Sequence, residues 1–259
     1  MTTMKGRALV LATLYFLLSF AIWFLPAALS LFIQEEMALS PASLSLLLAV
    51  PILAGSVSRI LLGKLGDRWG YRPVVLVSLG LMAVPLAAMT AVHSYAQLLS
   101  VVCIIGFFAG GSFAIALPLA GEWFEKSEKG WALGVVGAGN VGSVIAFFTA
   151  PHLAALAGWR AVFPMMILPV ALIFAVILGA LPNGPRKISA PGTSASGSPE
   201  QAPSSAILML CILYAVTFGG FVGVASVLPS FFGNHFGLAK STAGALSALC
   251  LVIGSVIRP

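Results

Sequence analysis

Long apolar runs separated by short polar breaks occupy almost the whole chain, and their length is more informative than their period. A buried strand needs only about four to eight such residues. A helix crossing the hydrocarbon of a bilayer needs roughly 20, at about 1.5 Å each, because every backbone N–H and C=O must be bonded within the segment. Eight runs meet that length, at about residues 8–33, 42–63, 73–92, 95–121, 131–156, 159–181, 206–232 and 240–259. The pattern predicts an all-α membrane protein whose eighth helix is cut short. Lys5 and Arg7 before the first run imitate a secretory signal, but that run is too long and further spans follow it, so it is predicted as a retained helix.

One break differs from the others. Residues 183–205, NGPRKISAPGTSASGSPEQAPSS, are rich in Pro, Ser and Gly and have too little apolar surface to pack, which predicts a flexible cytoplasmic linker. The linker divides the chain into a six-helix bundle at 1–182 and the start of a second bundle at 206–259. The halves also echo each other: Gly55-Ser56-Val57-Ser58-Arg59 matches Gly254-Ser255-Val256-Ile257-Arg258 at one constant offset, which Leu39 and Leu238 share. Matches of Leu, Val, Gly and Ser arise easily between apolar helices, whereas an arginine at the same place in both does not. A parallel repeat of this kind puts a substrate between the halves, near the bilayer midplane.

Composition changes the picture by exclusion. With 60% hydrophobic and 8% charged residues and a mean hydropathy of +1.08, the chain cannot keep a soluble surface wet. Its net charge of +6 would suit nucleic acid, but the distribution argues against that partner. Lys5, Arg7, Lys64, Arg68, Arg72, Lys126, Lys129, Arg186 and Lys187 fall on the side of the N-terminus, while Arg160 and Lys240 flank spans on the other side, beside Glu35 and Glu36. That asymmetry puts the N-terminus in the cytoplasm. Cys103, Cys211 and Cys250 lie inside predicted spans without ligand-like spacing, so they read as small packing residues, and no metal, disulfide or cofactor is expected. His93, His152 and His235 lie near span ends and give little support to proton coupling. No Ser/His/Asp or Cys/His cluster suggests an enzyme.

The chemistry therefore falls to polar groups inside the spans. Arg59 lies within an apolar run and Arg258 ends one, with no carboxylate well inside any span. A guanidinium in hydrocarbon costs at least about 2.5 kcal/mol, so Arg59 must reach a cavity, a partner or the interface. One reading is that it snorkels toward Lys64. The other follows from Pro51, Gly55, Arg59 and Gly63 recurring every four residues, which sets Arg59 on a small-residue face. Two such arginines, one from each half, would make a cationic site for an anion, and their paired donors suit planar oxyanions. Gly137-Ala-Gly139-Asn140-Val-Gly142 satisfies a dinucleotide-binding pattern but lacks the strand that pattern requires, so its glycines read as helix packing. Asn140 would either make a structural bond between helices or donate to an anion.

Gly63 to Pro73, GKLGDRWGYRP, joins the second and third predicted helices and resembles the signature loop of the major facilitator superfamily. That resemblance gives Gly63, Gly66, Asp67, Arg68, Gly70 and Arg72 a conformational role as a cytoplasmic gate. It also implies the major facilitator fold, here a complete six-helix bundle and the first two helices of a second. The Gly-Ala-Gly-Asn-x-Gly run, Ala150-Pro151, Gly158-Trp159-Arg160, GFFAGGSFAIALP (Gly106 to Pro118), YAVTFGGFVGVASVLPSFF (Tyr214 to Phe232) and Arg258-Pro259 resemble the nitrate/nitrite porter family. By that resemblance Arg59 and Arg258 hold the anion, Phe113 and Phe218 stack on its faces, and Asn140 and Tyr214 add polar contacts. Ordinary packing is the competing reading for both phenylalanines. The expected function is alternating-access transport of nitrate and nitrite, by exchange or cation coupling, in a monomer in the plasma (inner) membrane. Transport of another small anion, such as cyanate or a small carboxylate, and a receptor that binds an anion without moving it are the alternatives.

Overall fold

The computed structural model describes residues 2–182, 184 and 204–256; Arg258, Pro259 and most of the 183–205 stretch lie outside the described residues. Among the described residues every regular element is helical. Seven helices are long and apolar enough to cross a membrane: α1 (Met4–Glu36), α2 (Pro41–Trp69), α3 (Tyr71–Ala91), α4 (Tyr95–Gly121), α5 (Lys126–Ala157), α6 (Trp159–Ala180) and α7 (Leu208–Phe236). The eighth run forms a shorter apolar helix, α8 (Lys240–Val256).

Helix α1 is the central post. It is apolar all round, and 78% of its apolar stretch is buried against 17% for α7. Helices α4, α5 and α7 pack on it, α2 packs on α4, α3 on α6, and α8 on α5. Large apolar side chains left outside, such as Leu53, Val84, Leu168 and Val216, face outward as lipid-facing residues should. Cys103, Cys211 and Cys250 lie within helices on this exposed surface too.

The predicted loop between the second and third helices is mostly helix. Helix α2 continues through Gly63, Gly66, Asp67 and Arg68 to Trp69, and α3 resumes at Tyr71. Gly70 alone makes the turn, at φ 92°, while its N–H closes the helix on the Gly66 carbonyl at 2.8 Å. Gly66 is tolerated in the helix because the Tyr71 ring lies against it where a Cβ would stand. The starts of α2 and α4 follow the local signals: Ser40 caps the Ser43 N–H ahead of Pro41, and Ser94 with Gln97 forms a reciprocal capping box.

Besides single-residue breaks in α1 at Leu29 and in α6 at Met166, three long helices are interrupted in mid-span. Helix α4 loosens at Gly111–Ser112 just before Phe113, α5 tightens into a 3₁₀ turn at Ala138–Asn140, and α7 widens into a π turn at Ala215–Gly219. Such departures from α geometry leave backbone groups short of their usual partners and commonly mark functional positions.

Ion pairs mark the two ends. Lys5 meets Glu128 at 2.8 Å at one end. At the other, Arg160 pairs with Glu36 and Lys240 with Glu35. Glu36 also accepts from Trp159 Nε1 at 2.7 Å, which ties the end of α1 to the start of α6.

Candidate functional site

The α2–α4 contact sets the site. Pro51 and Gly55 of α2 face Gly106 and Gly110 of α4 so closely that a Cβ on Gly55 would lie 2.9 Å from Gly110 Cα, and one on Gly106 would strike the Pro51 backbone. Only glycine allows backbones this near. One turn beyond Gly55, Arg59 leaves α2 on the same face, and its Nε donates to the Gly110 carbonyl at 3.2 Å. The small-residue face, and not a snorkelling path toward Lys64, carries the arginine.

Aromatic rings enclose its charge. The guanidinium carbon stands 5.1 Å from the Phe218 ring centre, 5.6 Å from Trp23 and 5.7 Å from Phe113, all within cation–π range. The Tyr214 side chain is also within bonding reach of it. Tyr214 stacks on Phe218 at 5.0 Å and 12°, one π turn apart on α7. Phe113 closes the group, 5.9 Å from Phe218 and 6.1 Å from Tyr214. No carboxylate pairs with Arg59 among the described residues.

The structure thus brings Arg59, Phe113, Phe218 and Tyr214 together across α2, α4 and α7. Asn140, on α5, makes no side-chain hydrogen bond to any of them. The neighbouring Gly139 is pressed against Thr13, Phe16 and Leu17 of α1, and the Asn140 amide is fully buried with neither its oxygen nor its nitrogen bonded. Only its backbone carbonyl is used, by Ser143 Oγ at 2.8 Å. Arg258 lies outside the described residues.

Phe113 and Phe218 are too close to sandwich anything. A flat ion between two rings needs about 7 Å between their centres, twice a carbon contact distance, against the 5.9 Å seen. The slot would have to widen by about 1 Å.

The predicted gate residues lie apart, at the far end of α2. Asp67 accepts a hydrogen bond from the Tyr71 hydroxyl, and Arg72 Nη2 donates to the Leu178 carbonyl at 2.7 Å. A Cβ added at Gly63 would meet Ala114 at an ordinary 3.9 Å, and Arg68 interacts with its surroundings. Glu122, just past α4, is half-buried; burial raises its carboxyl above the usual carboxylate range, against the pull of Lys129.

Sequence reasoning missed Trp23. Its indole Nε1 donates to the Pro51 carbonyl at 2.9 Å, and it is 5% exposed beneath Arg59. The available signal was the spacing of Phe16, Phe20 and Phe24 on α1, a stripe that carries Trp23 on its edge; these rings touch one another and reach Phe113 and Phe218.

The comparisons with known proteins agree with this architecture. The chain is 35% identical to a probable nitrate/nitrite antiporter, NarK1, of Thermus thermophilus, over 98% of this chain and 59% of that protein. It is 32% identical to a probable nitrate/nitrite transporter, NarK2, of Mycobacterium tuberculosis (99% and 66%) and 30% identical to a nitrite extrusion protein of Bacillus subtilis (97% and 63%). It spans about 59% to 66% of the length of these relatives. A bacterial homologue of the human lysosomal transporter Spinster superposes with a TM-score of 0.74 at 16% identity, over 96% of this chain and 60% of the other. The proton:xylose symporter XylE superposes at 0.71 and 15% (99% and 69%), a likeness of fold alone. The model of the Major Facilitator Superfamily matches residues 11–259, and the chain, an integral membrane protein, belongs to that superfamily.

Proposed function

We propose that the protein is a secondary transporter of nitrate and nitrite that works by alternating access, with Arg59 as an anion-binding group. The observation that carries this reading is a guanidinium held between the two parts of the fold, framed by Trp23, Phe113 and Phe218 and without a carboxylate partner among the described residues. A charge so placed attracts an anion, and flat rings beside a planar fork favour a planar oxyanion over a tetrahedral one. Nitrate and nitrite are the small planar oxyanions named by the relatives in Thermus, Mycobacterium and Bacillus.

In this reading Phe113 and Phe218 part to admit the ion, Tyr214 adds a hydroxyl, and Arg258 supplies the second guanidinium from the other half. Asn140 is held in reserve, its unbonded amide able to turn toward an oxyanion. The 1–182 stretch acts as one six-helix bundle, 183–205 as a linker, and 206–259 as the start of the second bundle. The N-terminus lies in the cytoplasm, and Gly63, Gly66, Asp67, Arg68, Gly70 and Arg72 form a gate on that side. Contacts between the bundles support closure of the other side: Glu35 with Lys240, Gln34 with Asn234 at 3.0 Å, and Leu31 against Gly233. The protein works as a monomer. Exchange fits better than a carboxylate proton relay, since no carboxylate pairs with Arg59 among the described residues.

The test is uptake of labelled nitrate into proteoliposomes by the full-length protein, with Arg59→Ala as control and a panel of competing anions. Loss of flux in the variant and competition by nitrite are expected; undiminished flux would sink the proposal.

A further inference from the structure

We propose that Trp23 is a positioning residue that aims the Arg59 guanidinium and thereby sets anion affinity on both faces of the membrane. The proposal rests on the reading of Arg59 as an anion-binding group. One indole touches both helices of the first bundle that hold the arginine. Its Nε1 donates to the Pro51 carbonyl on α2 at 2.9 Å, two turns before Arg59. Its edge lies against Gly110 of α4, where a Cβ would stand 2.8 Å from the ring, and Gly110 supplies the carbonyl that holds Arg59 Nε at 3.2 Å. Its ring lies 5.6 Å from the guanidinium carbon.

The chemistry makes the arrangement directional. An indole N–H only donates, and when buried it needs an acceptor, so the bond to Pro51 fixes the ring in one orientation. The fixed ring then offers one face to the cation. With Nε committed to Gly110, the guanidinium plane can turn only about that bond, and the Trp23 ring limits the turn. Without the ring, the remaining N–H fork samples several orientations, and an oxyanion has to select one of them.

Trp23, Pro51, Arg59 and Gly110 all belong to the first bundle. A rocking motion between bundles leaves their contacts intact, unlike those of Phe218 and Tyr214 on α7. A positioning role therefore shifts half-saturation equally from either side and leaves the maximal rate alone.

The experiment is nitrate counterflow in proteoliposomes of the full-length protein, with half-saturation and maximal rate measured from each side. Trp23→Phe keeps a ring but loses the bond to Pro51; Trp23→Leu loses both. Half-saturation is expected to rise about threefold in Trp23→Phe and tenfold or more in Trp23→Leu, equally from both sides, with maximal rates per folded transporter within twofold of the parent. Unchanged half-saturation in Trp23→Phe overturns the proposal, even if Trp23→Leu cannot be recovered folded. Equal effects of Phe and Leu, or a shift from one side only, overturn it as well. Arg59→Ala separates the two readings: retained nitrate flux there refutes the anion-binding role of Arg59, whereas a dead Arg59→Ala beside unshifted Trp23 variants refutes the positioning role alone.

Discussion

Arg59 and Asn140, two polar side chains in the spans of the first bundle, are treated oppositely. Arg59 is held, with a carbonyl on Nε, rings around the cation and a phenol within reach. Asn140 is bare, completely buried with both amide atoms unbonded. Burying an unsatisfied amide costs about 1–3 kcal/mol, a penalty the fold bears at Asn140 and avoids at Arg59. The difference separates a pre-organised group, held ready whether or not a ligand is present, from one that is strained until a partner arrives.

The contrast breaks most sharply in function at Arg59. Arg59→Ala is expected to lower nitrate uptake at least 100-fold, about 2.8 kcal/mol at about 1.4 kcal/mol per decade, with the fold intact. Proteoliposome flux together with the melting temperature in detergent reads both. Next is Gly110→Ala, which sets a methyl 2.8 Å from Gly55 Cα and from the Trp23 ring; overpacking of this kind costs about 1–3 kcal/mol, so the melting temperature should fall and anion affinity with it. Asn140→Leu sharpens the comparison in the opposite direction. It removes the unsatisfied amide, so the protein should gain about 1 kcal/mol of stability while transport declines; a loss of stability would mean that the amide is bonded after all.

Glu122 gives a third, milder case. Burial raises its carboxyl above the ordinary value of 4.5, so the fold favours the protonated form and loses stability as pH climbs from there through the raised value. Melting temperatures of Glu122→Gln and the parent should coincide near pH 4 and separate toward pH 7, with the variant higher. The smallest effect is expected at Glu35→Gln, which unpairs Lys240 at an exposed site worth about 0–1 kcal/mol; tracer flux should change less than threefold.

The spans were legible because a bilayer imposes a length, and no competing element needs so many apolar residues in a row. The interruptions were not, since Gly111–Ser112, Ala138–Asn140 and Ala215–Gly219 consist largely of the same small and apolar residues that continue a helix elsewhere. The stretch from Gly63 to Trp69 misled in the other direction: glycines and charges suggest a loop, while the Tyr71 ring packed on Gly66 makes helix the better state. Arg59 could be singled out from charge and spacing alone. Phe113, Phe218 and Tyr214 were reached only through a family resemblance, and their adjacency to Arg59 is a property of three-dimensional packing. Trp23 is separated from Arg59 by a connection between helices, so no local spacing could link them.

The Arg59 guanidinium, with no carboxylate partner among the described residues, has an electrical consequence. A guanidinium keeps its proton throughout the physiological range, so without an anion the site carries a fixed positive charge. Moving one elementary charge through the membrane field changes the energy by about 2.3 kcal/mol per 100 mV, and drying a lone cation costs more. A bound monovalent anion cancels that charge. A carrier built around Arg59 is therefore expected to reorient more readily loaded than empty, and membrane voltage should act most strongly on the unloaded return.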